Sequence, residues 1–319
     1  MKIAIFDSYV GKFTNDIENY WRDHGHEVIR DTYYDPEKVQ WADVVWFETC
    51  DNNLLSATNP DQALLDDPTN KSPWKLQDMP KKHIIVRPID IEVWQGHHAH
   101  DDMWQHVDDV IFIAPHIRDM MMADSRPQQG NFNIHTIPCG VNLARWVFKS
   151  RDDGFNIGVV AERWVSKGVD YVIQIAIRLK QIDERFKIYW LGKNNDYHWE
   201  AEYLRDIIQR LRLPIILEED FVEDLDAWWE NKSYCLSASK KEAFGYNIAE
   251  AMAKGIKPLI HQFYGYEPLW DKYTWASIDE CIDLITDGQY NSEEYRQYLI
   301  DKDYTLEAMM NKIMGVING

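Results

Sequence analysis

The sequence predicts an α/β protein built of two doubly wound domains, and three observations carry that prediction. At 319 residues the chain is too long for one ordinary α/β core and suits two domains of typical size. Short β-rich runs alternate with amphipathic helical stretches, the pattern of parallel sheets joined by crossover helices. The alternation breaks at a polar stretch, residues 149–154 (KSRDDG), and then starts again. The expected division is a first domain over 1–148, a second over 155–290, and a helical tail over 291–319 that crosses back towards the first domain.

Residues 2–6 (KIAIF) form a continuous apolar run and so a buried strand. Residues 15–24 read as a helix, with Ile17, Tyr20, Trp21 and His24 at helical spacing and Gly25 as its stop. Further strands are expected at 27–30, 43–47, 83–88, 110–114 and 135–138. In the second half the spacing predicts a strand at 156–160. A helix follows at 169–182, with Val172, Ile173, Ile175, Ala176 and Leu179 on its buried side. Strands at 187–191, 214–217, 234–238 and 258–261 follow, separated by helices at 200–211, 225–230 and 249–254. In open parallel sheets ligands bind beyond the carboxyl ends of the strands, so the loops there are the places to search.

Composition narrows the partners. Lys plus Arg is 34 against 53 Asp plus Glu, a net charge of -19. So acidic a surface repels nucleic acid and anionic lipid at long range, which favours a small-molecule ligand. The four cysteines (Cys50, Cys139, Cys235, Cys281) are scattered without a CxxC pair, which fits free thiols in a reducing compartment. No apolar run approaches a membrane span and a strand begins at Lys2, so a cytoplasmic protein without integral membrane contact is expected. Most of the 14 tryptophans read as core or half-buried helix residues, Trp21, Trp190 and Trp228 among them; Trp94 and Trp104 lie near a candidate acceptor loop.

The most informative stretch is 237–255 (SASKKEAFGYNIAEAMAKG). A strand ends near Ser239, a loop runs to Gly245, and a helix begins near Tyr246 and stops at Gly255. Gly245 permits a tight turn and close approach of a ligand, and the helix start directs amide N–H groups at it. Glu242 and Glu250 flank the turn. A carboxylate accepts hydrogen bonds from paired hydroxyls, so both suit a sugar or ribose; taken alone, they equally suit a solvated loop charge and a surface helix residue.

The pattern S-x-x-E-A-F-G-x-x-x-x-E-A-M-A-x-G, with Glu242 and Glu250 eight residues apart, resembles the EX7E signature of retaining glycosyltransferases of family-4 type. Residues 221–229 (FVEDLDAWW), 157–168 (IGVVAERWVSKG), 188–192 (IYWLG) and 137–142 (IPCGVN) resemble further segments of that family in the same order, with Asn142 where Asp is usual. The resemblance implies the GT-B fold, two Rossmann-like domains facing across a cleft, and transfer of a sugar from a nucleotide-diphosphate donor with its anomeric configuration kept. By the same resemblance Arg163 and Lys167 contact the diphosphate and Glu242 holds sugar hydroxyls. The backbone of Phe244, Gly245, Tyr246 and Asn247 faces sugar and phosphate, Gly192 lines the donor site, and Glu250 holds the ribose. The spacing from Arg163 to Lys167 is one residue shorter than usual in the family. No cofactor and no metal are implied, because protein cations serve the phosphates. A nucleotide-sugar epimerase or phosphorylase of the same fold, and a silent sugar-nucleotide-binding protein, are the competing readings.

The first domain is less family-like. The loop 7–14 (DSYVGKFT) has Gly11 alone, neither GxGxxG nor a Walker loop, and is expected to approach the donor phosphate or the acceptor. Residues 89–102 (IDIEVWQGHHAHDD) follow a strand and carry Asp90, Glu92, His97, His98 and His100, any of which suits the orientation or deprotonation of an acceptor hydroxyl. Clustered His and Asp also raise a metal, but these ligands sit in one loop without a partner motif, so a polar acceptor loop or a plain solvated one is preferred.

Overall fold

The computed structural model describes residues 1–9, 11, 14–50, 53–54, 57, 81–89, 104–123, 130–194, 198–218 and 222–319. Two compact units divide the chain: Met1–Gly140 with Leu306–Gly319, and Val141–Thr305.

The first unit carries a six-stranded sheet: β1 (Lys2–Asp7), β2 (Glu27–Asp31), β3 (Val44–Glu48), β4 (His83–Arg87), β5 (Asp109–Phe112) and β6 (Asn133–Thr136), in the order β2-β1-β3-β4-β5-β6. Every neighbouring pair is parallel. Parallel strands are covered on both faces, and so β1, β3 and β4 are almost continuously apolar. The core joins Ile3, Ile5, Trp46, Ile85 and Ile111 from the sheet to Ile17 and Trp21 of the helix Asn15–Asp23. Met309, Met310 and Ile313 of the final helix Leu306–Asn318 complete it.

The second unit carries β7 (Asn156–Val160), β8 (Lys187–Leu191), β9 (Ile215–Glu218), β10 (Tyr234–Ser237), β11 (Lys257–His261) and the two-residue β12 (Thr274–Trp275), in the order β12-β11-β10-β7-β8-β9. All pairs are again parallel. The chain moves outward one way through β7, β8 and β9, returns to β10, and moves outward the other way. That reversal lies between β7 and β10, and in such sheets the ligand crevice lies outside the carboxyl ends at the reversal. The helix Val169–Ile182 buries Val172, Ile173, Ile175, Ala176 and Leu179, each contributing about 1.5–3 kcal/mol of apolar transfer.

Several elements differ from expectation. The helices Pro36–Trp41, Pro115–Met122 and Ile278–Thr286 form where none is expected from the apolar spacing. The first is set by Asp35, whose side chain accepts from Glu37 N, with Pro36 in the first turn. The last is set by a capping box between Ser277 and Glu280. Strand β6 begins two residues before the expected 135–138, and it stops before Pro138, which has no N–H for a ladder. The tail is two helices, Ser292–Asp301 and Leu306–Asn318, parted at Asp303, whose φ of 59° no helix continues. Residues 149–154 lie inside the second unit, where Arg151 N donates to Ser292 Oγ at 2.9 Å. Trp104 is wholly buried, its ring 5.6 Å from Phe132, so it is a core residue and offers no ligand face; Trp94 lies outside the described residues. All four cysteines are buried free thiols. Among the described residues no helix is long and apolar enough to cross a membrane.

Candidate functional site

At the reversal in the second unit two loops meet, residues 161–168 after β7 and 238–245 after β10. The first passes through a short 3-10 turn, Val165–Lys167, to Gly168, whose φ of 73° opens the helix Val169–Ile182. A Cβ at Gly168 would stand 2.0 Å from the carbonyl oxygen of Ala238, so only glycine permits this approach. Alongside, Lys240 N donates to Ser166 O at 2.8 Å. The Lys240 ammonium reaches Asp170 Oδ1 at 2.9 Å.

This approach brings Lys167 and Glu242 together. Lys167 Nζ stands 2.5 Å from Glu242 Oε1, and Ser239 Oγ donates to the same oxygen at 2.7 Å. The pair is half-buried, its side chains 29% and 15% exposed, so it is shielded enough to matter yet still open to a ligand. Two residues beyond Glu242, Phe244 anchors the turn from below. Its carbonyl accepts from Trp270 Nε1 at 2.9 Å, and its ring packs on Trp270 and Tyr304. Gly245 then turns with φ 86° and starts the helix Tyr246–Ala253, and no side chain caps it. Amides of a first helical turn have no partner within the helix and attract anions. Asn247 ties that helix to the carboxyl end of β7, its Nδ2 donating to Val160 O at 3.2 Å. Glu250 lies half-buried on the same helix; burial and its negative charge together push the Cys235 thiol well above the usual range.

Arg163 and Gly192, the other residues expected at the donor, lie beside this pair. The buried Arg163 guanidinium donates to Asn194 Oδ1 (2.9 Å), Trp190 O (2.9 Å) and Glu218 O (2.7 Å). It therefore ties the carboxyl ends of β8 and β9 to the loop after β7, whereas the Lys167 ammonium meets Glu242. At Gly192 a Cβ would stand 2.1 Å from Ala161 O, another close backbone approach that glycine alone allows.

In the first unit, Asp90, Glu92, His97, His98 and His100 lie outside the described residues. Gly11 has φ 84°, and its N–H donates to Asp7 Oδ2 at 2.8 Å; Asp7 also accepts from Tyr9 N and Thr14 Oγ1. That buried carboxylate thus holds Tyr9, Gly11 and Thr14 after β1. Beside it in register stand Glu48 and then Arg87, at the carboxyl ends of β3 and β4. Arg87 Nη1 stands 3.1 Å from Glu48 Oε1, and Trp46 Nε1 donates to Oε2 at 2.8 Å. Burial pushes the Glu48 carboxyl up to about 7, with Arg87 and Trp46 opposing and Asp7 adding to the rise.

Sequence reasoning missed Glu48, Arg87, Ser239 and His261. The one trace in the sequence is that the strands VVWFE, HIIVR and KPLIH each end on an ionisable residue, which by itself looks like an exit into solvent. Among the described residues no group of three or more His, Cys, Asp or Glu gathers as metal ligands.

No protein-family model and no curated protein sequence matches the chain. Solved structures do match. Anabaena HepE in complex with UDP and glucose aligns over 100% of this chain and 99% of its own, with TM-score 0.70 at 13% identity. A sucrose-phosphate synthase from Thermosynechococcus elongatus aligns over 100% and 98%, with TM-score 0.67 at 13% identity. A glycosyltransferase from Rickettsia africae aligns over 99% and 97%, with TM-score 0.66 at 14% identity. With its two parallel six-stranded sheets and interleaved helices, the chain has the two-domain α/β GT-B fold.

Proposed function

We propose that the chain is a retaining, metal-independent glycosyltransferase that moves a sugar from a nucleotide-diphosphate donor to an acceptor. One observation carries the reading: at the sheet reversal of the second unit a lysine ammonium and a glutamate carboxylate meet next to a glycine-started helix. HepE, which shares the fold, was solved with UDP and glucose.

The division of labour follows from charge. As the glycosidic bond to the donor breaks, negative charge grows on the departing diphosphate. The Lys167 ammonium and the amides of residues 245–247 stabilise that charge more in the transition state than in the ground state. Glu242 accepts hydrogen bonds from donor-sugar hydroxyls, and Glu250 from those of the ribose. Gly192 leaves room for the donor at its loop. Arg163 acts through the strand ends it ties, holding the loop that bears Lys167. The acceptor is taken by the carboxyl edge of the first sheet, with the Gly11 loop and with Asp90, Glu92 and His97 from the segment after β4.

The test is to incubate purified protein with UDP-, GDP- and ADP-sugars, and to follow nucleoside diphosphate release and the anomer of the product. Release from at least one donor, with the donor's anomeric configuration kept, is expected. No binding, hydrolysis or transfer across the panel would remove the reading, and an inverted product would remove its stereochemical part.

A further inference from the structure

We propose that His261 is a positioning residue for Glu242: it fixes the Ser239 carbonyl and thereby aims the Ser239 hydroxyl that holds the Glu242 carboxylate. The inference rests on Glu242 being the sugar-holding carboxylate of the reading above.

The geometry is a short chain of contacts. His261 closes β11, and its Nδ1 lies 2.9 Å from Ser239 O. A carbonyl oxygen only accepts, so Nδ1 carries the proton and the imidazole is the donor. The ring is held on both sides, its centroid 4.6 Å from that of Tyr171 and 4.7 Å from that of Trp275, and Trp275 is wholly buried. Burial lowers the imidazole pKa, so the donor stays neutral and in one tautomer near pH 7.

Ser239 is the joint. It is buried, its carbonyl is fixed by His261, and its Oγ donates to Glu242 Oε1 at 2.7 Å. The next residue is also held on both sides, Lys240 N donating to Ser166 O at 2.8 Å and Lys240 O accepting from Tyr264 N at 3.3 Å. With the peptide plane pinned at both residues, the direction of the serine hydroxyl is set, and so is the carboxylate oxygen shared with Lys167. A free rotation there would let Glu242 swing by the length of its own side chain. A misplacement of about 1 Å costs on the order of a hundredfold in rate.

The test uses the full chain with His261→Phe, which keeps an aromatic ring between Tyr171 and Trp275 but loses the N–H. His261→Asn is the rescue, since it restores an N–H near the position of Nδ1. Ser239→Ala cuts the next link without touching the aromatic stack. Two readouts are taken: kcat on the accepted donor, and the affinity for that nucleotide sugar relative to its nucleoside diphosphate alone. Expected for His261→Phe and Ser239→Ala is a fall of about tenfold to a hundredfold in kcat and loss of the sugar's share of affinity, with nucleoside diphosphate affinity kept within about twofold. His261→Asn should recover most of both. Wild-type values in either His261→Phe or Ser239→Ala, or no recovery in His261→Asn, would overturn the role. Should His261→Phe not fold, wild-type values in Ser239→Ala would still overturn it. A wild-type protein that binds no nucleotide would instead remove the reading on which it rests.

Discussion

Substituting Gly168 with alanine tests whether the approach of the two loops builds the site. The residue sits at φ 73°, where an L side chain costs about 1–2 kcal/mol. Its Cβ would also stand 2.0 Å from Ala238 O and 2.8 Å from Ala238 C, both backbone atoms that no rotamer change can clear. Reaching even the 3.0 Å limit of real Cβ contacts needs the two loops to part by about 1 Å. Such overpacking adds about 1–3 kcal/mol. Gly288 supplies the control within the same unit: its φ is 69°, but a Cβ there meets nothing within 4 Å. Gly288→Ala should therefore cost only the conformational share. Gly168→Ala should cost about 1–3 kcal/mol more, a thermal midpoint roughly 5 °C lower still for a unit of this size. Because the separated loops carry Lys167 on one side and Ser239 and Glu242 on the other, turnover at 25 °C should fall on the order of a hundredfold in Gly168→Ala. In Gly288→Ala it should hold. Differential scanning fluorimetry and a donor-turnover assay on the two variants read both effects. Equal midpoints, or equal turnover, would refute the argument that this contact positions the pair.

Three further outcomes are expected. On the proposed function Glu242 competes with a diphosphate for the Lys167 ammonium, so Glu242→Gln should tighten nucleoside diphosphate binding in the wild-type background and do so much less in Lys167→Met; equal tightening in both, by calorimetric titration, would show only a general field effect. The Glu230 carboxyl is held down to about 2 from 4.5, first by its hydrogen bond from Lys254, so the stability it contributes is present above about pH 4.5 and is lost as pH falls towards 2. Being 41% exposed, it contributes about 1 kcal/mol after screening, and Glu230→Gln should remove that acid limb from a urea-midpoint profile. Glu48 has the opposite sign: raised from 4.5 to about 7 by burial, its contribution is present below 4.5 and is lost as pH rises through 7. Glu48→Gln should lower stability above pH 7, where Arg87 loses its counter-charge, and should flatten the slope between 4.5 and 7, a change on the order of 3 kcal/mol in total.

What the sequence made legible follows from where the physical signal is local. The inner strands of both sheets were readable because parallel strands covered on both faces are nearly continuous apolar runs; the two-residue β12, Thr274–Trp275, is too short to leave such a run and was not expected. The turn at Gly245 was readable because a glycine before a helical apolar face is a local constraint. The short helices Pro36–Trp41 and Ile278–Thr286 are carried by caps, Asp35 with Pro36 and Ser277 with Glu280, which a search for apolar periodicity alone passes over. The hydrogen bonds of Arg163 were not readable, since its partners Trp190 and Glu218 lie on two other strands and only the folded sheet brings them together. His261, Glu48 and Arg87 were missed for the same reason. A lone polar residue ending an apolar strand looks in sequence like an ordinary exit into solvent. Its meaning depends on a neighbour 22 positions away for His261 and Ser239, and 39 positions away for Arg87 and Glu48.

The most direct test is a crystal of this protein soaked in turn with UDP, GDP and ADP. The account predicts diphosphate density for at least one of them at the amides of residues 245–247, with Lys167 Nζ turned from Glu242 onto a phosphate oxygen. Nucleotide bound elsewhere on the chain, or none at saturating concentration with Lys167 still paired to Glu242, would contradict it.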